Sequence, residues 1–317
     1  MIGRTITGLA LIALAYAPGA SALETINVGN TGAGSPLQWP SHIAIARGFY
    51  REAGVDVQLI PMPSSAAGMQ QLAAGSLNLS SSGLVDAVRA IDKGAPTRLL
   101  RTEVATSPYE IYARPAIRRF ADLKGKIVMI GGAKDITRIY FEELAAANGL
   151  KPGENDYVYV GATAARFAAL SSGSIDATIL FPPFNFQASA AGFTRLAGSA
   201  DVASAFPFSG YSMNVAWAKA KPGAVAGFMK AYARGVDFFY DDRNAEEARK
   251  IFADISKAPA KDVADTYAFF RKLKPWTARG EIEKGNVQTV IDYLKKDGEI
   301  DGAPDLARFF DAALVPK

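Results

Sequence analysis

Cysteine is missing altogether from this 317-residue chain, and histidine occurs once, as His42. The first absence excludes disulfides, thiolate metal sites, cysteine nucleophiles and the cysteine that carries a bacterial lipoprotein's lipid. The second leaves one imidazole for any general-base chemistry. The chain has no Gly-x-Ser-x-Gly turn, no His-Glu-x-x-His pair and no glycine-lysine phosphate loop. It also has no block of Lys and Arg of the kind that grips nucleic acid. No catalytic residue, metal ligand or cofactor is therefore expected, and no nucleic-acid partner. Carboxylates far apart in sequence can still meet, so an enzyme acting in a cleft stays open as an alternative.

What is present starts with the N-terminus. Arg4 precedes a short apolar run from Gly8 to Ala17, Pro18 and Gly19 break it, and Ala20-Ser21-Ala22 is a small-x-small cleavage pattern. The run is shorter than the about 20 apolar residues a spanning helix needs. Residues 1–22 are expected to be a cleavable signal peptide, placing the mature chain in the periplasm of a Gram-negative bacterium without a stable membrane anchor. Cleavage would remove one of the 35 basic residues, Arg4, against an unchanged 31 acidic ones. The surviving charges are dispersed, and their slight positive excess only weakly favours anionic partners.

Beyond it, short apolar runs alternate with helical periodicity. Strands are predicted at Thr25–Asn30, Val55–Ile60, Leu77–Ser80 and Thr97–Val104, and helices at Pro36–Phe49, Ser64–Ala74 and Gly83–Asp92. The grammar restarts with strands at Lys126–Ile130, Tyr157–Val160 and Ile175–Phe181 and helices at Asp135–Asn148 and Thr163–Ser171. Leu72-Ala-Ala-Gly75-Ser76-Leu77-Asn78 echoes Leu170-Ser-Ser-Gly173-Ser174-Ile175-Asp176, as two similar lobes, or mere reuse of a common helix-to-strand turn, would produce. After Lys221 the pattern is helical. Val225, Phe228, Met229, Tyr232, Val236 and Phe239 form a core stripe, and further helices are predicted at Ala245–Asp254, Ala260–Leu273, Glu281–Lys295 and Pro304–Ala313.

The expected class is α/β, with two doubly wound, mainly parallel lobes joined by two crossover segments and a helical C-terminal tail. Residues 23–105 and 212–317 would form lobe one and 106–211 lobe two, with crossovers near Thr106–Arg114 and Phe206–Val215. Such a molecule has a cleft and can close about its hinge.

Four segments carry a family resemblance. Ala46-Arg47-Gly48-Phe49-Tyr50 continues to Gly54-Val55-Asp56-Val57; Leu72 to Gly75 follows; then come Phe120-Ala121-Asp122-Leu123-Lys124-Gly125-Lys126 and Ile175-Asp176-Ala177. In this order and spacing the chain resembles periplasmic solute-binding proteins of ABC importers, the nitrate/sulfonate/taurine and thiamine-pyrimidine-precursor family (NMT1/THI5-like, SsuA-like). The resemblance implies a type II periplasmic binding fold. It also implies capture of a small organic solute (a sulfonate, a pyrimidine-like or an aromatic compound) by hinge closure, and delivery to an ABC permease and its ATPase subunit. A monomer is expected. Eukaryotic relatives make a thiamine pyrimidine with a histidine and cysteines, chemistry that this composition does not match. A sensor subunit that presents the solute to a membrane receptor would use the same closed form.

Ligands of open α/β sheets gather beyond the carboxyl ends of strands. That rule selects Gln38 and Trp39 after the first strand, Ser80, Ser81 and Ser82 after the third, Gly132, Asp135 and Thr137 after the first strand of lobe two, and Phe181 after the strand from Ile175. Tyr211 is a further candidate wall. Trp39 offers a ring face and an N–H, or else packs in the core. Asp135 either caps its helix or faces the cleft, where it would repel a sulfonate and favour an N–H or positive group.

Overall fold

The computed structural model describes residues 22–199, 207–311 and 313–314. The expected signal peptide, apart from Ala22, lies outside the described residues. Among the described residues no helix is long and apolar enough to cross a membrane.

The first sheet begins with β1 (Glu24–Thr31), β2 (Val55–Met62), β3 (Leu79–Gly83) and β4 (Thr97–Val104). The chain then crosses and lays down β5 (Glu110–Ala113), β6 (Ile127–Ile130), β7 (Asp156–Tyr159), β8 (Ala177–Leu180) and β9 (Thr194–Gly198) as a second sheet. It returns as β10 (Ser209–Asn214) to the first. The orders are β2-β1-β3-β10-β4 and β7-β6-β8-β5-β9. In each sheet three parallel strands precede one antiparallel strand, which arrives from the opposite lobe and separates the third strand from the fourth. The crossovers are thus shorter than expected. Residues 110–113 are already strand in sheet two, and residues 209–214, including Tyr211, are a central strand of sheet one.

Helices cover both sheets: α1 (Trp39–Ala46), α2 (Phe49–Glu52), α3 (Ser65–Ala73), α4 (Leu84–Asp92), α5 (Ile136–Ala147), α6 (Thr163–Ser172) and α7 (Phe184–Ala190). After β10 come α8 (Val215–Ala220), α9 (Pro222–Tyr240), α10 (Ala245–Ser256), α11 (Ala260–Leu273) and α12 (Lys284–Lys296). The single helix expected over Pro36–Phe49 is a 3-10 turn followed by α1 and α2, because Gly48 takes a left-handed φ of 71° and breaks it. The stripe on α9 is core: Val225, Phe228, Tyr232, Val236 and Phe239 are buried, with Met229 packed alongside. On its other flank a Cβ at Gly227 would come within 2.6 Å of the Ala53 carbonyl oxygen, and one at Gly235 would overlap that of Pro40. The two glycines let α9 lie directly on α1 and α2.

The expected helix over Pro304–Ala313 is not formed. Its described residues form a 3-10 turn at Leu306–Arg308 and bridge to β4 at Phe309 and Phe310, while the stretch before α12 covers the rest of that edge. Thr102 N–H donates to Gly280 O (2.8 Å), Ala105 N–H to Pro275 O (2.8 Å) and Leu99 N–H to Phe309 O (2.9 Å). Covering an otherwise open sheet edge outweighs local helix propensity here.

The internal echo has a structural cause. Gly75 and Gly173 both end a helix with positive φ, 80° and 76°. Three residues later Asn78 Oδ1 accepts the Asn27 N–H (2.7 Å), and Asp176 Oδ2 accepts the Ile127 N–H (3.0 Å). Each lobe uses the same turn to satisfy a backbone donor on the second-placed strand of its sheet, β1 or β6.

Candidate functional site

A cavity of about 480 Å³ lies between the lobes, walled by residues of both. Lobe one contributes Gln38, Ser64, Ser65, Ser81, Ser82, Asp86, Glu103, Ser209 and Phe252. Lobe two contributes Asp135, Ile136, Thr137, Gly161, Thr163, Phe181, Phe184 and Gln187. Tyr109 and Phe208, one on each crossover, complete the wall, their ring centroids 5.5 Å apart.

The floor of lobe one is a hydrogen-bonded chain. Tyr211 Oη donates to Gln38 Oε1 (2.8 Å), and Gln38 Nε2 donates to Ser81 Oγ (2.9 Å) and Glu103 Oε1 (2.5 Å). Glu103 Oε2 accepts from Ser81 Oγ (2.5 Å) and Ser209 Oγ (3.2 Å). Glu103 is buried, and desolvation pushes its carboxyl above the ordinary range against these neutral donors. Asp86, in the first turn of α4, is pushed up to about 6, chiefly by burial, with Ser65 and Arg89 opposing.

Across the cleft, Asp135 caps α5 through the Thr137 N–H (2.9 Å). The Thr137 hydroxyl donates to the same carboxylate oxygen and accepts the Gly131 N–H (2.7 Å). Asp135 therefore caps its helix and also lines the cavity; burial raises its pKa while Thr137 and Arg166 oppose. Arg166 is fully buried behind the wall. It donates to the carbonyls of Ile179 (3.0 Å), Val160 (3.1 Å) and Gly161 (2.6 Å) and to Thr163 Oγ1 (2.9 Å), which fixes the loop that faces the cleft.

The expected site residues fall into two groups. Gln38, Ser81, Ser82, Asp135, Thr137 and Phe181 line the cavity. Trp39, Ser80, Gly132 and Tyr211 do not. Trp39 is fully buried, stacks on Phe252 (4.2 Å) and donates to Ala248 O (2.9 Å), so it backs the ring that does line the cavity. Ser80 to Ser82 are strand residues of β3, not a loop, and Ser80 is the one nearest the interior end of the strand's polar run. Ser80 is turned beneath α3 against Gly68 and bonds Ser82 (2.7 Å). The backbone turn places Asp135 and Thr137, not Gly132, on the cavity wall. Tyr211 lies behind Gln38 and orients it. His42 is buried in α1 away from the wall, and desolvation lowers its pKa to about 4.

Sequence reasoning missed Asp86, Glu103, Arg166 and Phe252. Glu103 shares a face of β4 with Leu99 and Arg101, both fully buried, but an Arg and a Glu on one face read in sequence as a solvated one. Phe252 had no local signal, because it comes from the distant C-terminal helices.

The lobes touch around the mouth. Arg89 Nη2 donates to Lys134 O (3.0 Å), Lys134 Nζ lies 3.4 Å from Glu299, and Gln187 Nε2 donates to Asp262 Oδ2 (2.6 Å). A Cβ on Gly161 would stand 2.7 Å from the Pro63 carbonyl oxygen of the opposite lobe. Among the described residues no group of three or more His, Asp or Glu side chains is placed to hold a metal ion.

A family model described as NMT1/THI5 like matches residues 38–246. No curated protein matches the chain by sequence. Solved structures match its fold. The ligand-binding component of an ABC-type import system from Staphylococcus aureus superposes with a TM-score of 0.75 at 16% identity, covering 92% of this chain and 97% of its own. The alkanesulfonate-binding protein SsuA from Xanthomonas axonopodis pv. citri, bound to MOPS, gives 0.71 at 19%, with 93% and 98% covered. The periplasmic nitrate-binding protein NrtA from Synechocystis PCC 6803 gives 0.71 at 17%, with 90% and 84% covered.

Proposed function

The chain belongs to the NMT1/THI5-like family, and on that premise we propose that it is the periplasmic solute-binding component of an ABC importer. It captures a small organic solute between its lobes and releases it unchanged to a permease with its ATPase subunit. The observation that carries this reading is the interlobe cavity itself, large enough for a small organic molecule and walled by two lobes between which the chain passes twice. A solute that bonds Gln38, Ser82 or Asp86 on one side and Asp135, Thr137 or Gln187 on the other interacts fully only when the lobes are closed. Binding therefore shifts the population toward the closed form. That form carries the surface a permease reads.

The polar groups at the cavity are suited to holding rather than to turnover. The Ser81 hydroxyl is committed to Glu103, not to an imidazole, and His42 sits elsewhere. Export by the N-terminal leader, a periplasmic location and a monomeric state belong to the same reading.

Small-angle scattering of the mature protein, with and without a panel of sulfonates, amines and aromatic solutes, tests it. A binder should reduce the radius of gyration and be recovered chemically unchanged. Product formation from the bound solute, or no binder of any class at millimolar concentration, would overturn the proposal.

A further inference from the structure

The cavity wall is unequal in charge. Asp86, Glu103 and Asp135 face it, and among the described residues no Lys, Arg or His side chain does. The nearby cations are already engaged behind the wall. Arg89 is shared between Asp86 (2.8 Å) and Glu299 (2.6 Å), and Lys134 leans on Glu299. Arg166 donates to three carbonyls and Thr163, and from behind the wall its charge offsets part of that of Asp135. Arg101 is turned away, stacked 4.2 Å over Tyr232 and bonded to Thr277 O. Glu103 is left with neutral donors alone.

Closure makes this imbalance matter. Asp86 belongs to lobe one and Asp135 to lobe two, both line the same cavity, and the Asp135 charge adds to the upward push on the Asp86 carboxyl. Bringing the lobes together brings like charges together, and a positive group between them reverses the sign of that interaction. The N-termini of α4 and α6, which lack side-chain caps, supply N–H donors that would suit an anion. A full carboxylate outweighs the about half charge of a helix end, and the corresponding end of α5 is already occupied by Asp135. The rest of the wall mixes neutral serine, threonine and glutamine side chains with the Tyr109, Phe181, Phe208 and Phe252 rings, which suit an apolar body and the face-on approach of a cation.

We infer that the cleft selects a cationic organic solute, an amine or amidinium on an apolar or aromatic frame, and rejects sulfonates, carboxylates and nitrate. This rests on the solute-binding reading and narrows it; the cavity and the family make the site, and the carboxylates set the charge it takes.

The test is a matched series of benzamidine, benzamide, benzoate and benzenesulfonate, titrated calorimetrically into the mature protein at low salt. Scattering is recorded alongside, and any solute extracted from the freshly purified protein is identified by mass spectrometry. Benzamidine should bind at least about tenfold more tightly than either anion, and the extracted solute should carry a basic nitrogen. The preference should shrink several-fold in Asp135→Asn, whose amide can still cap α5, and in Glu103→Gln. Anions that bind as well as benzamidine, an anionic extract, or a preference untouched in both variants would overturn the charge assignment while leaving solute binding intact. No binding, no extract and no contraction would overturn the solute-binding reading itself.

Discussion

The two lobes share one strand order and differ in almost everything built upon it. Lobe one has strands of five to eight residues and five helices after β10 that wrap it; lobe two has strands of four or five and fewer covering helices. Each hides one fully buried arginine. In lobe one Arg101 fastens the C-terminal segment to the sheet through the Thr277 and Ala278 carbonyls. In lobe two Arg166 fastens the loop that faces the cleft. Topology fixes where a cleft must lie, and the side chains decide which lobe is the heavy frame and which the lighter jaw.

Removing Arg166 should break the comparison hardest. Arg166→Met strands three carbonyls and a hydroxyl and should cost about 4 kcal/mol in urea unfolding. Amide exchange should rise in β8 and α6 before it rises in sheet one. Arg166→Lys should rescue little, because an ammonium cannot span the fork.

The next effect belongs to lobe one. His42 titrates near 4 when folded and near 6.5 when unfolded, so the unfolded chain takes up more protons between these values. Stability is then present above pH 6.5 and is lost as pH falls toward 4, by about 3 kcal/mol. Asp86, raised to about 6, acts with the opposite sign and gains stability as pH falls below 6. The difference between wild type and His42→Gln across a pH series of denaturant melts isolates the histidine contribution, which should grow with acidity.

Gly161→Ala probes the contact between lobes. Its methyl would meet the Pro63 carbonyl, so the closed form should lose about 1–2 kcal/mol, read as roughly tenfold weaker solute binding with an unchanged melting temperature. The smallest effects compare the repeated turn. Asn78→Ala and Asp176→Ala each free one strand N–H and should each cost about 1 kcal/mol. A large inequality between them would mean that the echo is one of sequence only.

Much of this architecture was legible in the chain. β4 and α11 occupy the residues that periodicity assigned, and the repeated glycine turn does mark two lobes with one strand order. The crossovers were drawn too long because nothing local in Ser209–Asn214 says that it pairs between β3 and β4. The site was half legible for the same reason. Loops after strands led to Gln38, Asp135 and Thr137, but a tryptophan beside a cleft looks the same in sequence whether Phe252 or a solute covers its face. Glu103 and Asp86 read as ordinary surface charges until the return strand reaches Glu103 and α12, with Glu299 after it, covers the helix that carries Asp86.

The late arrival of β10 also dictates an order of assembly. Residues 110–198 build the second sheet from one continuous stretch, whereas the first sheet is missing its fourth-placed strand until residue 214 has emerged. Until then β3 and β4 each present a bare edge, and pairing β10 with them across more than a hundred intervening residues carries the loop-closure entropy of a long-range contact. The nascent jaw can mature before the frame that will hold it.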